Sequence, residues 1–169
     1  YTIFARIKTR KDGTIFCKTA STSQWTRDGK SLFVRGGRLV FDIGWVGAVS
    51  SKRRINDGKW HDVALTFEDK SGIVKLYIDG KPDQQKALRP QAAVRGHVVR
   101  IGYTSSNFPP DSTYKGAMGD VRFYKRLFDE KTVGTIASLQ DDSLVAHWTL
   151  ENAKGGSVLD VSGNKHTAK

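Results

Sequence analysis

The stretch NDGKWHDVALTFEDKSGIVKLYIDGKP (56–82) decides the fold. Two turn signals, Asp57-Gly58 and Asp79-Gly80, bracket two runs in which apolar residues fall on alternate positions. His61, Val63, Leu65 and Phe67 share one face of the first run, and Val74, Leu76 and Ile78 share one face of the second. A period of two marks a half-buried β-strand, and Asp-Gly pairs supply the positive-φ positions of tight turns. Trp60-His61 heads the first strand and reads as part of the frame. Trp60 is bulky enough to close one end of a core, and His61 lies on the face of Val63 and Leu65.

The same pattern extends in both directions. TIFARIKT (2–9) sets Ile3, Ala5 and Ile7 against Arg6 and Lys8, and GTIFCKT (13–19) follows the Asp12-Gly13 turn. SLFVRGGRLVFDIG (31–44) reads as a hairpin turning at Gly36-Gly37. HVVRIGY (97–103), GDVRFYKRLF (119–128) and SLVAHWTL (143–150) complete the strands; in the last, Trp148 alternates with Leu144, Ala146 and Leu150 and reads as core. DEKTVGTIASL (129–139) is the one helical stretch, with Asp129 at its start and Val133, Ile136 and Leu139 at helical spacing. Short strands with Gly- and Asp-rich turns predict an antiparallel sandwich or barrel. No linker divides the chain, so residues 1–169 are expected to form one domain.

Composition narrows the function classes. No segment approaches the ~20 apolar residues of a helical membrane span. The chain opens on Tyr1 without a leader pattern and reads as a segment of a longer protein. Cys17 is the sole cysteine, so no internal disulfide forms, and on its strand it reads as a small hydrophobe. Lys and Arg number 28 against 17 Asp and Glu, a formal charge of +11 that attracts polyanions. The basic residues are spread along the chain, and Lys52-Arg53-Arg54 is the one run of three.

DGKWHDVALTFEDKSGIVKLYIDGK, followed by IGYTSSNFPPDSTYKGAMGDVRFYKRLFDEKTV, resembles the concanavalin A-like lectin/laminin-G superfamily. Its bacterial laminin-G-like branch shows the same order: a turn, Trp-His, an apolar strand, a strand ending Tyr-x-Asp-Gly, then Gly-x-x-x-x-Val-Arg-x-Tyr before a short helix. The resemblance spans about residues 1–139. It implies an all-β, antiparallel jelly-roll β-sandwich of two sheets with one short helix. SLVAHWTLENAKGGSVLDVSGNKHTAK (143–169) resembles the strand that usually opens such a domain, here closing the chain. That placement implies a circular permutation, or a segment cut across two repeats; a permuted sandwich is the expectation. The resemblance also implies an extracellular, cell-surface or periplasmic setting in a bacterial protein. Many members hold one Ca²⁺, so a structural calcium touching Asp160, Asp120 and Asn164 is expected, the alternative being that Asp160 and Asn164 make turn hydrogen bonds only.

Catalysis finds little support. A glycoside hydrolase needs two carboxylates flanking a sugar bond, yet none of Glu68, Glu130 and Glu151 has an acidic residue two positions away. There is no Gly-x-Ser-x-Gly elbow and no Cys/His cluster with zinc spacing. Sugar recognition needs accessible aromatic faces rimmed by donors. Trp25 in STSQWTRDGK and Trp45 in IGWVGAVSS lie in turns, although Ile43 and Val46 favour an inward Trp45. Tyr103, Phe108 and Tyr114 punctuate the loop YTSSNFPPDSTYKG, and Arg27, Arg35 and Arg53 supply forks suited to carboxylate or sulfate. VRFYKRLF interleaves aromatic and basic residues, but it coincides with a strand of the resemblance, and no nucleic-acid partner is expected. The reading is a non-catalytic, lectin-like module binding a polysaccharide or other glycan, with an acidic or sulfated ligand favoured by the +11 charge. The alternative is a protein–protein interaction, adhesion or spacer module.

Overall fold

Strand β1 (Thr2–Thr9) runs through the middle of the molecule, antiparallel to β6 (Trp60–Glu68) on one side and β10 (Gly116–Tyr124) on the other. The computed structural model describes residues 1–22, 24–89, 94–108, 112–150, 157–166 and 168. Among these, β11 (Leu144–Thr149), β10, β1, β6, β7 (Ile73–Ile78) and β8 (Lys81–Ala87) form a six-stranded sheet in that order. A five-stranded sheet runs β5 (Gly47–Arg54), β4 (Arg38–Ile43), β3 (Lys30–Arg35), β2 (Gly13–Thr19) and β9 (Val98–Ile101). Every pairing is antiparallel.

The two sheets pack face to face through the alternating residues of the sequence pattern. Ile3, Ala5 and Ile7 of β1 and Val63, Leu65 and Phe67 of β6 meet Leu32 and Val34 of β3 and Leu39, Phe41 and Ile43 of β4, all buried. Phe41 and Phe67 approach across the gap with ring centroids 5.9 Å apart. Each such side chain removed from water stabilises the fold by roughly 1.5–3 kcal/mol. The hairpin at Gly36-Gly37 takes φ of +56° and +74°, which a side chain would oppose.

Two strands escaped the pattern, β5 (GAVSSKRR) and β8 (KPDQQKA). Both are sheet edges, and their Lys, Arg and Pro residues are what an edge needs to resist pairing with another chain. The carboxylate of Asp83 on β8 accepts the N–H groups of Lys52 and Arg53 on β5, joining the two edges.

The larger sheet also buries its outer face. Phe4, Ala64, Tyr77 and Tyr124 form a second cluster with Phe128, Val133 and Ile136. The expected single helix over 129–139 is instead α1 (Glu130–Val133), capped by the Asp129 carboxylate on the Thr132 N–H at 2.8 Å, and a 3₁₀ turn at Ile136–Ser138. The break falls at Gly134, which lies against Gly80 of the β7–β8 turn; a Cβ on Gly80 would reach 3.2 Å from the Gly134 Cα. Val133 and Ile136 still point inward, so the apolar spacing was read correctly even where the helix was not.

The C-terminal segment belongs to the same sandwich. β11 extends the larger sheet beside β10, and Ala146 and Trp148 are buried in the main core. The Trp148 indole Nε1 donates to the His166 carbonyl at 2.6 Å. Asp160 holds this return: its carboxylate accepts the N–H groups of His147, Ser162 and His166, each at 2.9 Å. Burial alone would raise the Asp160 pKa, but these N–H donors hold it below the usual carboxylate value. A depressed folded pKa stabilises above the unfolded value of about 3.9 and is lost as pH falls through the folded one. Asp160→Ala should therefore cost about 2 kcal/mol at neutral pH. Its melting-temperature gap to wild type should narrow between about pH 5 and pH 3; a constant gap would contradict this assignment.

Candidate functional site

The outer face of the smaller sheet carries the candidate site. On β3, Phe33 and Arg35 alternate outward from Leu32 and Val34, and the register sets Phe33 beside Val40 of β4 and Asp42 beside Ala48 of β5. Phe108, from the loop after β9, lies edge-on to Phe33, with ring centroids 5.0 Å apart at 88°. Trp25 lies edge-on to Phe108 in turn, at 4.9 Å and 72°. The Arg35 guanidinium sits 4.6 Å from the Phe33 ring centroid and 5.7 Å from that of Phe108. Such cation–π placement fixes a long side chain that would otherwise be mobile. Burial raises the Asp42 carboxyl pKa, and the charge of Arg35 opposes that shift. The turn that aims Arg35 is itself anchored, since Asp12 accepts the N–H groups of Gly36 at 2.6 Å and Gly37 at 3.0 Å.

Loops bring further candidates to the same region. Asn107 Oδ1 accepts the Trp25 N–H at 2.6 Å and the Ser105 hydroxyl at 3.1 Å, tying the Trp25 loop to the Phe108 loop. Arg100 clamps the preceding segment by donating to the carbonyls of Ala20, Ser21 and Thr22 at 3.2, 3.0 and 3.2 Å. The Asp28 N–H donates to Gly44 O at 3.0 Å, and the Gly44 N–H donates to Gly29 O at 2.8 Å. These bonds lay the β4–β5 turn, with Trp45, beside the loop holding Trp25 and Arg27. Trp25 rests on Gly29, where a Cβ would come within 2.8 Å of the indole, and it is half-buried.

Trp45 departs from the inward position expected of it: it is 66 % exposed. The Val46 N–H closes a turn onto Ile43 O at 2.9 Å, so Ile43 enters the core while Trp45, at φ +60°, projects to solvent. Phe108 is corrected the other way. At 3 % exposure it supports Trp25 and Arg35 from beneath and offers no free ring face. Tyr114 packs against the main core, and burial pushes its hydroxyl pKa up to about 12. Tyr103 is half-buried, and its carbonyl accepts the Cys17 thiol at 3.3 Å. Burial raises that thiol to about 11, in keeping with an inert strand cysteine. Arg53 lies elsewhere, paired with Asp79 at 2.7 Å.

The Trp60-His61 pair divides. His61 is frame: it is 7 % exposed, with Nδ1 3.2 Å from both Asp79 oxygens and Nε2 3.2 Å from Asp57 Oδ1. Trp60 does not close the core. It lies on the outside of the larger sheet over Gly119, 43 % exposed. The signal was present, because alternation that puts His61 inward puts its neighbour outward.

The residues expected to hold calcium do not fit that ion. Asp160 faces three N–H donors. Asn164 directs its amide nitrogen to the carbonyls of Leu144 and Val145, at 3.1 and 3.0 Å. Asp120 is engaged by Arg122 at 2.7 Å and by the His147 ring. A calcium ion needs six to eight converging oxygens, whereas these carboxylates face donors. Asp160 makes the turn hydrogen bond of the alternative reading, to the Ser162 N–H, while the Asn164 side chain ties its turn to the start of β11 instead. Glu151 lies outside the described residues.

Residues 1–134 match the laminin G-like family profile described as the concanavalin A-like lectin/glucanases superfamily. Mouse laminin subunit alpha-4 is 39 % identical over 131 residues, which cover 69 % of this chain but 7 % of that protein. A candidate carbohydrate-binding protein from Bacteroides ovatus superposes with a TM-score of 0.73 at 16 % identity, over 99 % of this chain and 50 % of that one. The CBM40 of a Ruminococcus gnavus IT-sialidase, bound to α2,3-sialyllactose, gives 0.62 at 15 % identity over 80 % of each chain. At these identities the two structures speak for the jelly-roll sandwich.

Proposed function

The chain belongs to the concanavalin A-like lectin/glucanase superfamily, and from that premise we propose that it is a non-catalytic, lectin-like module of a larger exported protein. It binds polysaccharide through the outer face of its smaller sheet. The observation that carries this reading is the ring chain that links Trp25 to Arg35 through Phe108 and Phe33, with the Arg27 loop and the turn of the exposed Trp45 hydrogen-bonded to each other beside it. Indole faces stack on the C–H faces of sugars, and guanidinium forks take carboxylate or sulfate in bidentate fashion. The Arg35 guanidinium already contacts the Phe33 and Phe108 rings before any ligand arrives, which lowers the ordering cost of binding. The net charge of +11 draws acidic chains to the surface. The sialyllactose-bound neighbour, whose ligand carries a carboxylate, supports the preference for an acidic glycan.

Retention on immobilised dextran, heparin and polysialic acid, at low and moderate salt, tests the proposal. The acidic polysaccharides should be retained, less tightly but still measurably at moderate salt, and Trp25→Ala should weaken retention. Retention of heparin alone, abolished by salt and indifferent to Trp25→Ala, would reduce the effect to the charge field. No retention of any glycan would favour a protein partner, for which the exposed Trp45 is the natural anchor.

A further inference from the structure

The outer face of the larger sheet carries a cleft that the glycan-binding face does not use. It has a volume of about 220 Å³, and its floor is apolar: Phe4 and Ala64 from the sheet, Val133 and Ile136 from the helical segment. Its rim is Trp60, Arg6, Asp62 and Asp79, with Ala137 at the exposed lip. The Trp60 six-membered ring lies in ordinary contact range of Gly119, 3.8 Å from where a Cβ there would stand, and the Arg6 guanidinium stands 5.8 Å from the Trp60 ring centroid.

The two carboxylates differ. Asp79 is spent on the frame, accepting from Arg53 at 2.7 Å and facing the His61 ring at 3.2 Å. The Asp62 carboxylate has one hydrogen bond among the described residues, a long one of 3.5 Å from Arg6. A carboxylate offers about four acceptor positions, and Asp62, which lines the cleft and is partly exposed, uses one of them in that bond. Burial raises its pKa; Arg6 and Arg122 pull against that, while Asp79 and Asp120 add to it. A half-buried, under-bonded carboxylate beside an exposed indole and an apolar floor is suited to a donor-rich ring.

We propose that this cleft is a second sugar subsite, taking one non-anionic sugar residue, with Trp60 along the ring, Asp62 accepting from hydroxyls or an amine, and Arg6 donating. The volume suits a single six-membered ring, and Gly80 and Gly134, which lie against each other, contribute to its wall. Asp79 is compensated by Arg53 at 2.7 Å, so Asp62, held by Arg6 only at 3.5 Å, is the carboxylate that a ligand in the cleft meets. An anionic sugar here meets Asp62 at close range, so the subsite selects against the ligands that the smaller sheet's face prefers. The subsite stands independently of that face.

The test follows the Trp60 indole N–H resonance in ¹H–¹⁵N spectra during titration with glucosamine, glucose and glucuronate. Glucosamine and glucose are expected to shift it, with glucuronate at least about tenfold weaker. Ala137→Phe fills the cleft from its exposed lip without removing a contact, and should abolish the shift. Asp62→Asn should weaken glucosamine more than glucose, and Trp25→Ala should change nothing. Absence of a Trp60 shift with all three sugars, equal binding of glucuronate, or persistence of the shift in Ala137→Phe would overturn the proposal. Responses of Trp25 and Trp45 to acidic glycan are read separately in the same spectra, so the two sites can fail independently.

Discussion

Trp148→Ala is expected to cost about 3–5 kcal/mol, the range for emptying a large aromatic site in a packed core. Domains of this size are stable by roughly 5–15 kcal/mol, so the loss removes about a fifth of the stability at the least and nearly all of it at the most. The argument rests on three observations. Trp148 is buried between the sheets, its indole N–H is bonded to the His166 carbonyl, and its backbone pairs with Val121 of β10 on one side and Asp160 on the other. Removing the ring leaves a cavity and an unpaired carbonyl together. Trp148→Phe keeps most of the volume and should lose less, with the difference measuring the hydrogen bond and the residual void. The urea midpoint reads the effect. A loss below about 1 kcal/mol would mean that residues 143–168 are appended to the sandwich instead of completing its larger sheet.

Arg35→Lys carries the second large effect. Lysine keeps the charge but loses the planar fork that contacts the Phe33 and Phe108 rings. Affinity for an acidic polysaccharide should fall about tenfold, equivalent to ~1.4 kcal/mol, and Arg35→Ala should fall at least as far. Arg35→Ala should also lose about 0.5–1 kcal/mol of stability through the cation–π contact. The salt dependence of Arg35→Lys should match wild type, because the charge count is unchanged. If Arg35→Lys binds as wild type does, a diffuse positive field is sufficient and the built face is irrelevant.

Much of the sandwich was legible from alternation, because residues such as Val63, Leu65, Val74 and Leu76 face a dry core and leave a period of two in the chain. β5 and β8 were not legible, since an edge strand that buries little has no apolar face to show. The helix was legible as a face but not as an element, because its break depends on Gly134 meeting Gly80, a contact between residues far apart in sequence. For the site, turn residues were found but their exposure was not. Trp25, Phe108 and Arg35 are brought together by Asn107 and by ring contacts that leave no mark in local sequence. Trp45 was turned outward by a single backbone hydrogen bond from Val46 to Ile43. Trp60 is outside although its bulk suits a core, because the alternation of its own strand, which turns His61 inward, fixes its side.

The four tryptophans make the most direct test of the central claim, because each reports on a different place. Trp25 and Trp45 mark the face and rim of the smaller sheet, Trp60 the cleft on the larger one, and Trp148 the core. Their indole N–H resonances should be followed as a polysialic acid oligosaccharide, every residue of which carries a carboxylate, is added at moderate salt. Shifts at Trp25 and Trp45, with Trp60 and Trp148 unmoved, are the predicted result. Shifts spread evenly over all four, or none at Trp25 and Trp45 under conditions where the glycan is bound, would contradict it.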